Sequence, residues 1–242
     1  MNLREVLQEK SAAHPSVIGE ILASPDIRDQ FVLKLTYHSN KIEGSTLSEP
    51  ETAAIIFDNV ALPDRTLVEQ LEAKNHQTAL LAMFDRVSSK AAIDEKFILK
   101  LHGILMNGIR PDAGVYRSHA VRIVGVDLPT ANYLKIPDLM PELFAEISAK
   151  AEDIINLAAK IHARFEQIHP FSDGNGRVGR LLMNAMFLVA NLAPAIIRAE
   201  EKRQYYDHLY QAQTKEEFTP LADFFATSIL EGFQILDRTD HQ

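Results

Sequence analysis

At 242 residues, 46% of them hydrophobic, the chain is long enough for one well-cored domain, with at most a small extension. Its formal charge of −8 speaks against broad binding to nucleic acid or to an anionic membrane, both of which need basic patches. The absence of cysteine excludes disulfides and thiolate metal sites.

In chain order, the segment Met1-Asn2-Leu3-Arg4-Glu5 brings in charge at once and shows no secretory pattern, so a cytoplasmic location is expected. Apolar residues at helical spacing then cover 3–22 and 27–42. Ser48-Glu49-Pro50-Glu51 reads as a helix N-cap with a glutamate three residues on. Further helices are expected over 66–86, 94–107, 137–150, 151–168, 177–191, 200–213 and 220–236. One stretch, with Val121, Ile123 and Val124 before Gly125-Val126-Asp127-Leu128-Pro129, is rich in β-branched residues around a turn. It predicts a single β-hairpin near residues 117–136. The fold class is therefore all-α, a helical bundle with one small hairpin.

Two features of the later helices bear on function. Ile154, Ala158, Ile161, Phe165 and Ile168 form one apolar stripe, which buries that helix and aims His169 from its C-terminal end. The most apolar stretch, 181–197, is interrupted by Asn184, Asn191 and Pro194 and is shorter than the roughly 20 residues of a bilayer span. It reads as a buried helix ending near Asn191.

Between these helices lies His169-Pro170-Phe171-Ser172-Asp173-Gly174-Asn175-Gly176-Arg177, with Arg180 three residues on. A free imidazole titrates at roughly 6.5, so His169 can serve as a neutral base. Asp173 is a hard oxygen ligand of the kind Mg2+ takes beside phosphate oxygens. Gly174 and Gly176 permit a tight turn. Their N–H groups, with the Asn175 amide, suit an anion nest at a helix start. Arg177 and Arg180 share a helix face and can hold phosphates through their forked guanidiniums. A calcium loop is disfavoured, because the twelfth position from Asp173 is Asn184 and not a glutamate.

The run from His169 to Arg180 resembles the Fic-domain signature, His-Pro-Phe-x-Asp-Gly-Asn-Gly-Arg-x-x-Arg, at every fixed position, and similarity extends over about 36–226. The resemblance implies a Fic-fold helical bundle that transfers AMP from ATP to a Ser, Thr or Tyr hydroxyl of a protein. It implies that His169 accepts the hydroxyl proton and that Asp173 holds Mg2+. Gly174, Asn175 and Gly176 then cradle the α-phosphate region, Arg177 and Arg180 hold the outer phosphates, and Phe171 anchors the loop.

Ser39-Asn40-Lys41-Ile42-Glu43-Gly44 resembles the inhibitory motif of the same family. Ser39 and Glu43 share a helix face and Gly44 suits the helix end. The resemblance implies that Glu43 pairs with Arg180 and displaces the ATP γ-phosphate. It also implies that the hairpin is a flap, with Val124, Gly125, Val126 and Asp127 near the nucleotide, on which a target protein docks by adding a strand. Tyr205 and Tyr206 are similar to tyrosines that line the adenine and ribose pocket. The corresponding division is a helical extension over 1–35 and a Fic domain over 36–242, with its inhibitory helix at about 36–44 and its core at about 95–226. Other expected partners are the chain itself, as a self-modified target and as the other half of a homodimer. Two further readings stay open. One is removal of AMP from a modified protein with Glu43 activating a water. The other is a nucleotide-binding module without turnover.

Overall fold

The computed structural model describes residues 2–122, 128–149 and 151–238. Among them are eleven α-helices and no strand: α1 (Leu3–Ala13), α2 (Val17–Ala23), α3 (Pro25–Ile42), α4 (Glu49–Ile56), α5 (Leu67–Ser88), α6 (Glu95–Leu105), α7 (Ile136–Ser148), α8 (Ile154–Ile168), α9 (Asn175–Val189), α10 (Lys202–Lys215) and α11 (Thr219–Asp237). Several boundaries follow from capping. The side chains of Ser48, Thr66 and Asp94 each accept a hydrogen bond from the N3 backbone N–H of the helix they start. Pro25 stands in the first turn of α3, where its missing N–H costs nothing.

The single helix expected over 3–22 is two helices. Pro15 disfavours helical backbone at His14, and Ser16 caps α2 by accepting from Gly19 N. The expected hairpin straddles residues 123–127, and Val124, Gly125, Val126 and Asp127 lie outside the described residues. Its arms run side by side, with Thr130 Oγ1 donating to Val121 O at 3.0 Å, but neither is a strand. The second arm winds into a 3-10 turn over Tyr133–Lys135, which Asn132 caps.

Helices α8 and α9 are the central antiparallel pair. Around them, α7, α10 and α11 pack on α8, while α3, α5 and α6 pack on α9. The apolar stripe of α8 is broader than its periodicity suggested. Ile155, Ala159, His162, Ala163 and Glu166 are buried as well, and Ile154 is only half-buried. Nearly the whole of α9 is buried, which explains its unbroken Leu181-Leu182-Met183 and Met186-Phe187-Leu188 runs. That helix stops at Val189, and no helix among the described residues is long and apolar enough to cross a membrane. Helix α3 is continuous from residue 25 to residue 42, so Ser39 and Glu43 hang from an element anchored in the core by Phe31, Val32 and Leu35.

Candidate active site

The site is the loop between α8 and α9. His169 ends α8 in the left-handed region, at φ 51°, while its N–H still bonds Phe165 O at 2.9 Å. Turning left at this point leads the chain out of the helix and puts Pro170 where no donor is needed. Phe171 then plugs the loop into the core. It is fully buried and stacks on His102 with ring centroids 3.7 Å apart. His102 accepts from Gly114 N at 2.9 Å and faces Asp173 O at 3.2 Å, so it joins the loop to two distant segments. Burial pulls its imidazole down to about 4, so it stays neutral in this role.

Asn175 closes the loop from the other side. Its side-chain oxygen accepts from Phe171 N and its side-chain nitrogen donates to Phe171 O, both at 2.9 Å. The buried Asn175 side-chain amide is thus a brace for the loop. Gly174, at φ 76°, is the N-cap of α9, and a Cβ there would collide with Met106. The first N–H groups of α9 have no partner within the helix, an arrangement that can take an anion.

The His169 ring is oriented by its own helix. His169 Nδ1 donates to Glu166 O at 3.2 Å, a tautomer that leaves Nε2 as the acceptor. Burial lowers the affinity of the ring for a proton, and the nearby Arg117 charge lowers it further. His169 is therefore a neutral imidazole around pH 7.

Arg117 is the residue that sequence reasoning undervalued. It is buried, and its guanidinium reaches only carbonyls: His169 O at 2.7 Å, His119 O at 2.7 Å, Ala131 O at 2.6 Å and Ile168 O at 3.3 Å. Its own N–H bonds Pro170 O at 3.0 Å, and Ala131 N bonds Gln167 O at 3.1 Å. Both arms of the expected flap are thereby tied to the His169 turn.

Both signature arginines are engaged by carboxylates. Arg180 Nη2 pairs with Glu43 Oε1 at 2.6 Å and donates to Ser39 O at 3.1 Å, while its Nε donates to Ser39 Oγ at 3.0 Å. The Ser39, Glu43 and Arg180 constellation expected from the sequence is therefore assembled. Gly44, at φ 105°, turns the chain directly after Glu43. Burial favours the neutral form of Glu43, but the Arg180 charge and hydrogen bond outweigh it, and the carboxyl is held below its ordinary range. Arg177, almost wholly buried, bonds Glu72 Oε1 of α5 at 2.7 Å and lies 3.8 Å from Asp173 Oδ1. Glu72 was not singled out from the sequence, since nothing local marks a surface-type glutamate on α5 as the partner of an arginine 105 positions away.

Asp173 is half-exposed on the lip of the loop, with Oδ1 accepting from Gly174 N at 2.6 Å. Tyr205 and Tyr206 divide as core and boundary. Tyr205 is buried with its hydroxyl 2.6 Å from His162 Nε2, and Tyr206 is half-buried beneath Lys202.

A neutral imidazole, a carboxylate and two guanidiniums thus stand around one helix N-terminus, the layout of a site that handles a polyphosphate. Residues 92–187 match the profile of the Fic/DOC family. The chain is 36% identical over 186 residues to protein adenylyltransferase Fic of Nematostella vectensis, covering 73% of this chain and 42% of that one. It is 30% identical over 227 residues to the protein of the same name from Aedes aegypti, covering 92% and 45% respectively. Its fold superposes on the crystal structure of a Fic family protein from Desulfovibrio desulfuricans with a TM-score of 0.82, at 27% identity, covering all of this chain and 74% of the other. The chain carries a domain of the Fic/DOC family, and it spans less than half the length of these two curated relatives.

Proposed function

We propose that the protein is an adenylyltransferase that moves AMP from ATP to a hydroxyl of a protein and is held inactive by its own Glu43. The observation that carries this reading is the seat of the Glu43 carboxylate. It is bonded to Arg180 and stands so close over the start of α9 that a Cβ on Gly176 would collide with it. An anion already sits where a helix N-terminus and an arginine invite a phosphate.

When Glu43 withdraws, Arg180 takes the γ-phosphate, Arg177 the β-phosphate, and the N–H groups of residues 174–176 the α-phosphate. The target hydroxyl oxygen attacks the α-phosphorus, its proton passes to His169 Nε2, and the bond to the bridging oxygen breaks to release pyrophosphate. His169 contributes as a positioned general base, worth about 10²–10⁴-fold. The rest is alignment and charge. Asp173 fits a Mg2+ that arrives with the nucleotide. No group of three or more potential metal ligands gathers among the described residues. Bound there, the ion would supply positive charge against the phosphates. The target segment lies against the arms that Arg117 anchors.

Incorporation of label from α-labelled ATP with Mg2+ in a host lysate tests the reading. Strong labelling by Glu43→Gly, weak labelling by wild type and none by Glu43→Gly with His169→Ala are expected. Loss of AMP from modified protein by wild type, with no labelling by any variant, overturns it in favour of AMP removal.

A further inference from the structure

We propose that Glu166 is a positioning residue for the base: its buried carboxyl faces the Nδ1 edge of His169 and, through its own protonation, sets how firmly the imidazole holds a proton. The inference deepens the reading of His169 as the base and rests on it.

Glu166 occupies a place where a carboxyl is costly. It is 7% exposed, and its Oε1 is buried without a hydrogen-bond partner. A carboxyl left so calls for a reason beyond packing, since an apolar side chain would fill the same space at lower cost. Its neighbour across the helix pair makes room for it. A Cβ on Gly179 of α9 would collide with Glu166 Oε1 and crowd the His162 ring at 3.0 Å. Glu166 Oε2 lies 4.0 Å from His169 Nδ1, the nitrogen whose hydrogen is donated to the carbonyl of the same glutamate. One residue therefore fixes the ring tautomer through its backbone and places a titratable group beside it through its side chain.

The charged surroundings decide the state of that group. Arg180 faces Glu166 from α9, and Glu43 opposes it with its own negative charge from the end of α3. Tyr205 and Tyr206 face it from α10, and His162 lies one turn back on α8. His169 itself feels Arg117 on one side and Glu43 and Asp173 on the other. Burial dominates and pushes the Glu166 carboxyl up to about 8, so it is neutral at pH 7. A neutral Glu166 leaves His169 a weak base, desolvated and beside Arg117. Ionised, it is an anion next to Nδ1 that favours the imidazolium formed when the target hydroxyl gives up its proton. Proton uptake by the base is thereby coupled to a carboxyl that no substrate touches.

The test is an NMR titration of imidazole nitrogens in nucleotide-free, Mg2+-free protein with 15N-labelled histidine, the His169 signals being those lost in His169→Ala. Two inflections are expected for His169 in wild type, its own below pH 6.5 and a second near 8. Glu166→Gln, of nearly equal volume, is expected to keep the first and lose the second. A single inflection in wild type overturns the proposal whether or not the variant folds, and so does a second inflection that survives in Glu166→Gln. Since no turnover is involved, two inflections in a protein that transfers no AMP would leave the coupling standing and remove the transferase reading alone.

Discussion

The carboxylate of Glu43 lies against the Cα of Gly176, where any larger residue would strike it. On the proposed function, an inhibitory side chain and a phosphate at the first turn of α9 would share one volume. Carboxylate and phosphate would then compete for it.

Graded release is the first expectation. Ser39 holds Arg180 through its hydroxyl and its carbonyl, and only the hydroxyl contact is lost in Ser39→Ala. A hydrogen bond to a charged group is worth about 1.5–3 kcal/mol, so Ser39→Ala is expected to raise AMP incorporation about tenfold. Glu43→Gly should raise it further. Equal rates for Ser39→Ala and wild type would show that the hydroxyl does not help to hold the brake.

Gly176→Ala separates the two occupants of the shared volume. In wild type the new methyl should expel Glu43, which alone would activate the enzyme. The same methyl sits in the place of the phosphate, however, so activity should stay low even in Glu43→Gly. Nucleotide affinity measured by calorimetry should fall at least tenfold in the double variant, and unchanged affinity would refute the shared volume.

Arg117→Ala leaves several carbonyls around the His169 turn without their donor. Each unsatisfied buried group costs about 1–3 kcal/mol, and water entering the gap recovers part of that. A loss of about 4 kcal/mol, or about 10 °C in Tm by thermal denaturation, is expected. Arg117→Lys should recover little, because a single ammonium cannot reach the same set.

Stability against pH should pass through a maximum near 6.5. His76, His102 and His162 are buried, and burial lowers them to about 3, 4 and 3 from an ordinary 6.5. Below pH 6.5 the unfolded chain protonates these rings and the folded one does not, so stability falls with pH. Glu166 acts in the opposite sense. Raised from 4.5 to about 8, it keeps its proton in the fold and loses it in the unfolded chain, so its penalty shrinks as pH falls from 8 toward 4.5. These three histidines outweigh the one carboxyl by two protons below pH 6.5, about 2–3 kcal/mol per pH unit, and His38 and His169, whose rings burial also lowers, act in the same sense. Urea midpoints between pH 5 and 9 check this, and a curve flat from 5 to 6.5 would contradict it.

What could be read beforehand was whatever local chemistry dictates. Ser48 announces its helix, and the His169–Arg180 run carries its imidazole, carboxylate and guanidiniums within one turn and one loop. The partners that hold this inventory could not be read. Glu72 on Arg177, Arg117 on four carbonyls, and His102 under Phe171 are set by helix packing that brings distant segments together, and no spacing rule encodes it. The His14–Pro15 break was legible and passed over, because apolar periodicity continues across it. The Asn175 side chain reads as a ligand for phosphate, and only the closed loop shows both its amide atoms engaged by Phe171.

Glu43 is also the C-cap of α3, the residue at which that helix hands over to Gly44. Helix ends fray at far lower cost than a domain unfolds. On the proposed function, the inhibitory carboxylate therefore sits at the fraying end of a long, firmly rooted helix. Relief of inhibition would then need to undo only that turn, with the core-anchored part of α3 left in place.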